Sequence, residues 1–318
     1  MPQLPPIADL VVETTGWGFF LCTQKEVRAG RKGDFLALTL ADRTGQIQAR
    51  VFDQVDRFRQ EFDAGEFVRA EARVDSFNGH PQLIVSSIRR VNAAQDATQG
   101  FRDEDLIPSA PRPIDDMWRE LHAVVAEVGN DFVRVLLARV LADHETALRE
   151  WPAAKQIHHA YRGGFLEHIL QMAIVGRQVA RAYEADADLV VAGAILHDIG
   201  KLQELQYELG ATSYTRDGNL IGHIGLGLIL VRETTHGIAG FPSELRARIE
   251  HLVMSHHGTR EHGSPVEPKT IEAFILSAVD DLDARINQVR QALAAIPAGE
   301  EFTDWHRRLE RVLYRGPQ

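Results

Sequence analysis

The sequence predicts two domains, a small all-β barrel followed by an all-α domain. A chain of 318 residues with 44% hydrophobic content is long enough to bury two cores. Residues 11–92 consist of short alternating apolar runs separated by turn residues, whereas apolar residues recur at helical spacing from residue 114 onward. Residues 93–113 are polar and then proline-rich, which is typical of a linker between domains.

Five strands are expected in the first domain, which we place at residues 1–92. They are the runs GWGFFLCTQKEV, DFLALTLAD, GQIQARVF, EFVRAEARVDSF and PQLIVSSIRRV. Glycine-containing turns separate them, and residues 53–63 between the third and fourth runs have helical apolar spacing. Five strands with a helix in that position predict an OB-fold, a barrel that binds oligonucleotides on one face.

The first domain also carries basic and aromatic side chains that suit a single strand. Residues 11–92 hold twelve Lys or Arg against eleven Asp or Glu, within a chain whose net charge is −10. That net charge argues against non-specific coating of nucleic acid, but local cations can still follow phosphates while rings stack on bases. Trp17 and Phe35 are the candidates for base contact. The competing interpretation, for these rings as for Phe19 and Phe77, is that they fill the barrel.

The second domain, residues 114–318, is expected to be entirely helical. The helical runs are MWRELHAVVAEV, DFVRVLLARVLADHETAL, GFLEHILQMAIVGRQVARAY, ADLVVAGAILHDIGKL, LRARIEHLVMSHH and TIEAFILSAVDDLDARINQVRQAL. A final segment, FTDWHRRLERVLYR, predicts one more helix. No apolar run approaches the roughly 18 to 20 residues of a membrane span, and the start lacks signal-peptide features, so we expect a cytoplasmic protein without a membrane partner.

Histidines and aspartates recur near the predicted helix ends of the second domain. They are His168, His197, Asp198, His223, His256, His257 and Asp280. Imidazole and carboxylate groups hold divalent transition metals, and the single cysteine, Cys22, excludes a thiolate cluster. One His-Asp pair at a helix end is more often structural, but the whole set indicates a hydrolytic metal centre.

The apolar helix in ADLVVAGAILHDIGKL delivers His197 and Asp198 at its end, where Gly200 is expected to let the chain turn. Adjacent helical residues point about 100° apart, so the pair can meet one ion from two sides or bridge two ions. Lys201 follows on nearly the face of His197. A cation beside a metal site normally serves an anionic substrate.

The spaced set His168, His197-Asp198 and Asp280 resembles the pattern of the HD-domain metal-dependent phosphohydrolases. The chain also contains the longer motifs HHAYRGGFLEH, ILHDIGK and SHHGTREHGSPVEP after an OB-like domain. With these motifs it resembles the YhaM-type 3′-to-5′ exoribonucleases over nearly its whole length. The resemblance implies removal of nucleotides from the 3′ end of single-stranded RNA, with single-stranded DNA as a second candidate substrate. It implies manganese as the metal, with iron, zinc, cobalt and magnesium as alternatives.

The resemblance also implies a ligand set. His168, His197, Asp198 and Asp280 would hold one ion, and in two-metal members of the superfamily a second ion corresponds to His223, His256 and His257, with Asp198 as the bridge. Two ions about 3.5 to 4 Å apart suit an in-line displacement at phosphorus, but one ion stays an alternative. Asp198 and Lys201 are the candidate catalytic residues, Lys201 because it would offset charge on the phosphate.

Several further residues are candidates for contact with the terminal nucleotide. His158, His159, Tyr161 and Arg162 precede the Gly163-Gly164 turn, and Arg260 follows the His256-His257 pair on an expected loop. The alternative for each is an ordinary solvated surface position. Asp281 and Asp283 either orient ligand histidines or simply face solvent.

Two other functions remain open on the sequence. The same metal centre could belong to a nucleotidase or a cyclic-nucleotide phosphodiesterase, although the OB-like domain favours a polymer over a small substrate. Alternatively, the chain could be a nucleic-acid-binding protein with a vestigial hydrolase site, although every expected metal position holds a competent side chain. A homo-oligomer is compatible with all three.

Overall fold

The computed structural model describes residues 1–30, 33–77, 79–102, 105–107, 109–152, 161–208, 211–294, 296 and 299–316. They form two units, Met1–Ser109 with Tyr207–Thr212, and Ala110–Gln206 with Ser213–Gln318. The expected fold class, an OB-fold barrel followed by a helical HD domain, is confirmed. Among the described residues, no helix is both long and apolar enough to cross a membrane.

Five strands close the barrel of the first unit in the order β1-β2-β3-β5-β4. The elements are β1 (Thr15–Gly30), β2 (Gly33–Asp42), β3 (Gly45–Val51), α1 (Val55–Glu61), β4 (Phe67–Phe77) and β5 (His80–Arg90). The barrel closes because β1 pairs with β2 along one part of its length and with β4 along another, with a register shift between Cys22 and Gln24. The β3–β5 pairing is parallel and the others are antiparallel.

Alternation along the strands separates the barrel interior from its surface. In β2, Leu36, Leu38 and Leu40 are fully buried in the interior, whereas the residues between them point outward. Helix α1, which lies between β3 and β4 as predicted, adds the buried ring of Phe58, and Phe62 follows it into the same core. The barrel core is thus made of apolar side chains.

The residues after β5 continue the first unit. A short helix, α2 (Ala93–Asp96), follows, and the fully buried carboxylate of Asp96 accepts hydrogen bonds from Arg89 at 2.6 and 2.8 Å. The backbone N–H of Asn92 donates to the same carboxylate at 2.8 Å. Residues 93–109 of the segment that we predicted as a linker are grouped with this unit, and the buried ion pair anchors their first part.

The second unit is built from helices around one central apolar helix. Its helices are α3 (Ile114–Ala126), α4 (Asp131–Asp143), α5 (Glu145–Glu150), α6 (Gly164–Ala182), α7 (Ala187–Leu196), α8 (Lys201–Glu204), α9 (Arg216–His236), α10 (Ser243–Ser255) and α11 (Ile271–Ala294). Strands β6 (Leu205–Glu208) and β7 (Ala211–Tyr214) form a two-stranded sheet, of which Tyr207–Thr212 is grouped with the first unit. Every residue of α7 from Leu189 onward is buried, as expected of a helix that is apolar all round, and α7 packs against α6, α10 and α11. Residues at the end of α7 therefore lie deep inside the unit.

The prediction of a final helix in FTDWHRRLERVLYR was wrong. Phe302 pairs with Tyr314 and His306 with Arg311 in antiparallel bridges. The rings of Phe302 and Tyr314 lie 4.8 Å apart between centroids, and the hydroxyl of Thr303 accepts the N–H of Leu313. A helix this short has little stability unless it packs against other elements. The Phe302–Tyr314 ring pair and the hydrogen bonds between the two halves of the segment therefore favour the extended form.

Candidate metal centre

His197 follows the last residue of α7 and is fully buried. Its Nδ1 lies 3.0 Å from the carbonyl oxygen of Ala194, and because a carbonyl can only accept, this nitrogen carries the proton. The lone pair on Nε2 is then directed away from α7. The helix end thus supplies a fixed imidazole acceptor inside the unit.

His168 of α6 meets His197 at this point. The two Nε2 atoms lie 3.3 Å apart, and Asp280 Oδ1 of α11 lies 3.5 Å from His168 Nε2 and 4.0 Å from His197 Nε2. On its other side, His168 Nδ1 lies 2.7 Å from Asp283 Oδ2, a carboxylate–histidine pairing that orients metal ligands in many proteins. Acceptor atoms this close repel one another unless a cation or a shared proton lies between them.

A second group of nitrogen ligands lies beside the first. His223 of α9 and the pair His256-His257 at the end of α10 bring one ring nitrogen each to within 4.8 Å of one another. Asp198 Oδ1 lies 3.4 Å from His223 Nε2 and 3.6 Å from His256 Nε2. One carboxylate oxygen therefore faces two of the three histidines of this group.

Several of these atoms lack the partners that buried polar atoms normally have. Asp198 Oδ1, His223 Nε2, His256 Nε2 and His257 Nδ1 are buried and have no hydrogen-bond partner in the part of the chain that the structure describes. Leaving a buried polar atom unsatisfied costs roughly 1 to 3 kcal/mol, so four together require an explanation. Imidazole and carboxylate donors fit a divalent transition metal, and the cluster therefore suits one.

Asp198 is the residue common to both groups. Its Oδ2 lies 3.3 Å from His197 Nε2 and accepts a 2.6 Å hydrogen bond from Lys201 Nζ, while Oδ1 faces His223 and His256. Burial opposes ionisation of this carboxyl, but the charge of Lys201 and the neighbouring His197 hold its pKa well below the usual range. Asp198 is therefore an anion placed between two sets of imidazoles.

Two histidines of the second group favour the neutral form, whereas burial opposes the charge of His197 but Asp198 raises its pKa. Burial lowers the pKa of His256 well below its usual value and lowers that of His257. Neutral imidazole is the form that binds metal. Burial opposes the charge of Lys201, whose side chain is 15% exposed, but Asp198 keeps its pKa raised and the ammonium charged.

Glu204 is a residue of this site that the sequence did not single out. Its Oε1 accepts the backbone N–H of His223 at 3.0 Å and lies 3.2 Å from His223 Nδ1. Burial opposes its ionisation, but the hydrogen bond with His223 lowers the pKa of Glu204. Its distance of nineteen residues from His223 in the chain gives no periodic signal that sequence reasoning could use.

Glycines fix the backbone around His223. Gly222 has φ 76° and ψ 160°, which interrupts α9 immediately before His223. Gly200 is the last residue of the predicted turn, residues 197–200, and has φ −64° and ψ −17°. It is also needed for close approach, because a Cβ there would lie 2.0 Å from the carbonyl oxygen of His223.

A cavity of about 580 Å³ opens beside the ligand cluster. Its lining includes Asp198, Lys201, His256, His257 and Asp280 from the cluster, and Thr259, His262, Pro268, Phe274 and Arg285 around them. Both the carboxylate shared by the two groups and the Lys201 ammonium therefore face a space that is open to a substrate.

The predicted nucleotide contacts are placed differently. Tyr161 donates its hydroxyl to Glu167, Arg162 pairs with Glu150 at 3.2 Å, and neither lines the cavity formed by the described residues. His158 and His159 lie outside the described residues. Arg260 lies exposed in the short turn Arg260–His262, whose last residue lines the cavity.

The barrel carries its own ring–cation cluster. The Arg50 guanidinium lies 5.3 Å from the ring centroids of both Phe35 and Phe77, and Phe52 lies 5.5 Å from Phe35. Phe52 and Phe77 are each 53% exposed. We call Phe35, Arg50, Phe52 and Phe77 the ring–arginine surface.

Trp17 lies in a different group from Phe35. Arg69 covers its ring at 4.6 Å, and Phe19 packs edge-on against it. Among the described residues, none of Trp17, Phe19, Phe35 and Phe77 belongs to the interior cluster, where Phe20 supplies the ring of β1. These rings therefore lie outside the interior cluster, although Phe19 is itself buried, at 7% exposure.

Known proteins similar to this chain share both parts of it. Residues 165–285 match the HD domain model, and residues 23–91 match a model described as an OB-fold nucleic acid binding domain. The 3′-5′ exoribonuclease YhaM of Halalkalibacterium halodurans is 33% identical over 283 residues, 89% of this chain and 87% of that protein. The YhaM protein of Bacillus subtilis is 32% identical over 267 residues, 84% of this chain and 83% of that protein.

Proposed function

The chain belongs to the family of the YhaM 3′-5′ exoribonucleases, and from this premise we propose that it is a metal-dependent phosphodiesterase that shortens single-stranded RNA from the 3′ end. The single observation that carries the proposal is the position of Asp198, a buried anion between two groups of imidazoles at the wall of an open cavity. The products are nucleoside 5′-monophosphates. Single-stranded DNA is the alternative substrate to be tested.

Two ions fit the ligand cluster better than one. His168, His197, Asp198 and Asp280 would hold the first ion, and His223, His256 and His257, together with Asp198, would hold the second. The unpartnered buried atoms support the second position, because three of the four belong to histidines of that group. Manganese is the proposed metal, with iron, zinc, cobalt and magnesium as the alternatives, since a mixed imidazole and carboxylate donor set suits transition metals.

Bound divalent ions would supply Lewis-acid stabilisation of the phosphate and activation of water at neutral pH. The side chains hold this centre in place before substrate arrives. The Ala194 and Val253 carbonyls fix the rings of His197 and His256, and Asp283 fixes His168. Ligands that are already oriented need little rearrangement during the reaction, which lowers its barrier.

Lys201 has two tasks in this proposal. Its ammonium keeps Asp198 ionised through the 2.6 Å hydrogen bond, and it lines the cavity where it can contact a non-bridging phosphate oxygen. The oxygen of a water molecule bonds to phosphorus as the bond from phosphorus to the 3′-oxygen of the penultimate nucleotide breaks. The leaving 3′-oxygen takes the bonding electrons and gains a proton, and a fixed cation stabilises the negative charge around the phosphate. Asp198 and Lys201 are accordingly the catalytic residues that we assign.

The barrel provides the strand-binding surface. Rings stack on bases of any identity and arginine contacts phosphates, so the ring–arginine surface suits a single strand without sequence preference. Phe35 is the predicted base contact that lies in this surface, whereas Trp17 is engaged by Arg69.

The test uses single-stranded RNA labelled at the 5′ end, the DNA strand of the same sequence, and a circular RNA that has no 3′ end. With manganese present, the labelled RNA should shorten stepwise from the 3′ end, the circle should stay intact, and a chelator should stop the reaction. The ratio of the RNA and DNA rates sets the substrate preference. Intact linear strands, with hydrolysis of mononucleotides or cyclic nucleotides instead, would contradict the proposal.

A further inference from the structure

We infer that the cavity beside the ligand cluster contains a base-binding slot for the 3′-terminal nucleotide, formed by Phe274, Pro268 and His262. The inference rests on the proposed function, since it specifies how that substrate is held. It adds a binding site for the nucleobase to a centre whose other residues all address the phosphate.

Phe274 is the residue that first indicates the slot. Its side chain is 62% exposed and lines the same cavity as Asp198, His256 and Asp280. An isolated exposed ring on a protein surface is ordinary, but a ring in the wall of a cavity that also holds charged ligand residues is not. Such a mixture of one apolar face and a few polar groups is typical of a small-ligand site.

The spacing along α11 places the ring at a useful distance from the phosphate site. Phe274 precedes the ligand Asp280 by six residues, which corresponds to ~9 Å along a helix axis. Ser277 and Ala278 line the cavity between them, and their small side chains leave room for a sugar. A nucleotide whose phosphate meets the ligand cluster can therefore lay its base against Phe274.

Another part of the cavity lining comes from the segment after His257. Gly258 has φ +79°, and a Cβ there would lie 2.6 Å from Ser277 Oγ, so this segment passes close to α11. Thr259 accepts the backbone N–H of His262 through its side chain, which holds the following turn in place. Pro268, further along, also lines the cavity.

The chemistry of the slot fits a base of any identity. The Phe274 and Pro268 rings have no hydrogen-bonding groups on their side chains, so they can bind the face of a base but cannot read its edge. Stacking of this kind tolerates every base. The slot thus accounts for trimming without sequence preference.

The test compares two substrates on three proteins: the wild type, Phe274→Ala and the matched control Ile271→Ala. Ile271 is 59% exposed three residues earlier on the same helix and is not part of the cavity lining among the described residues. The substrates are a single-stranded RNA and the same RNA ending in an abasic 3′ nucleotide. We expect Phe274→Ala to raise KM for the normal RNA by about 5- to 150-fold, as loss of one stacked base usually does, with kcat little changed.

On the abasic RNA, Phe274→Ala and the wild type should have the same KM, because no base is present to stack. Phe274→Trp should restore the wild-type KM on normal RNA, and His262→Ala should raise it in the same direction. An equal effect of Phe274→Ala on both substrates, or the same effect from Ile271→Ala, would overturn the slot.

If the wild type does not degrade RNA, the proposed function fails separately. The slot is then decided by calorimetry with adenosine 5′-monophosphate and ribose 5-phosphate as probes. The wild type should bind the nucleotide at least about 5-fold more tightly than the sugar phosphate, and Phe274→Ala should remove that difference. Equal affinities for the two probes in the wild type would overturn the slot.

Discussion

The barrel and the helical unit differ in where their functional polar side chains lie, outside the core in the barrel and inside it in the helical unit. In the barrel the interior cluster is apolar, and Arg50 lies outside it among exposed rings. In the helical unit the polar groups lie inside: His168, His197 and His256 are at most 1% exposed and Asp198 is 4% exposed. Binding a strand requires an accessible surface, whereas holding a metal requires ligands shielded from water.

This difference has an energetic consequence. Burying a charge is costly unless it is paired, and Asp198 is paired only on one oxygen, by Lys201. The helical unit therefore carries a cluster of unpartnered buried polar atoms, which reduces its stability until a cation binds, whereas Arg69 Nε is the one such atom in the described part of the barrel. The contrast assigns hydrolysis to the helical unit and strand binding to the barrel. A substitution in one unit should therefore change the property of that unit and leave the property of the other unit unchanged.

Asp198→Ala should have the largest effect. Removing the carboxylate shared by both ligand groups should reduce kcat for RNA by at least about 10³-fold, more than loss of a single electrostatic contact usually costs. Strand binding by the barrel should persist, since the substitution lies outside it. Gel-resolved hydrolysis and fluorescence anisotropy on the same preparation measure both, and full activity in this variant would eliminate the metal-centre account.

Glu204→Ala should act on only one of the two ligand groups. Without the carboxylate that orients His223, the ion held by that histidine should bind about 10- to 100-fold more weakly, a typical cost of losing such a partner. Glu204→Gln should weaken binding of this ion less, because the amide oxygen can still accept the His223 N–H. Calorimetric titration with manganese measures the two binding steps.

Asp283→Ala is the matched variant for the other group, since Asp283 contacts His168. Asp283→Ala should weaken binding of the ion at His168 and leave binding of the ion at His223 unchanged. If both variants weakened both steps equally, the separation of the cluster into two ion positions would be wrong.

Phe35→Ala should have the smallest effect and should appear only in strand binding. Loss of one partly buried ring should weaken binding of a single strand by ~1 kcal/mol, or about 5-fold. Hydrolysis of a small phosphodiester such as bis-(4-nitrophenyl) phosphate should be unchanged, because that substrate does not need the barrel. Val11→Ala, at a 67% exposed position before β1, is the control, and a change in small-ester hydrolysis by Phe35→Ala would break the division between the units.

The sequence predicted those features that depend on local periodicity. Alternation identified the five strands and helical spacing identified α7, because each element buries one face or all faces of itself. The motif residues His168, His197, Asp198 and Asp280 could be selected because the resemblance covers them. The structure then brings them together.

Features that depend on tertiary contact were missed or misassigned. Glu204 contacts His223 because the kink at Gly222 directs His223 towards it. Neither the kink nor the contact produces a periodic pattern in the sequence. Gly200 lies in the predicted turn, but the close approach of the His223 backbone to it could not be read from the sequence. The C-terminal segment has apolar spacing compatible with a helix. The packing of the Phe302 ring on the Tyr314 ring stabilises antiparallel β-bridges there instead.

The most direct test of the central claim is the anomalous scattering of manganese in crystals of the protein grown with that ion. The account predicts two peaks, both next to Asp198, one among His168, His197 and Asp280 and the other among His223, His256 and His257. A single peak would reduce the centre to one ion. No peak at the cluster, in a protein that still degrades RNA with manganese, would contradict the account.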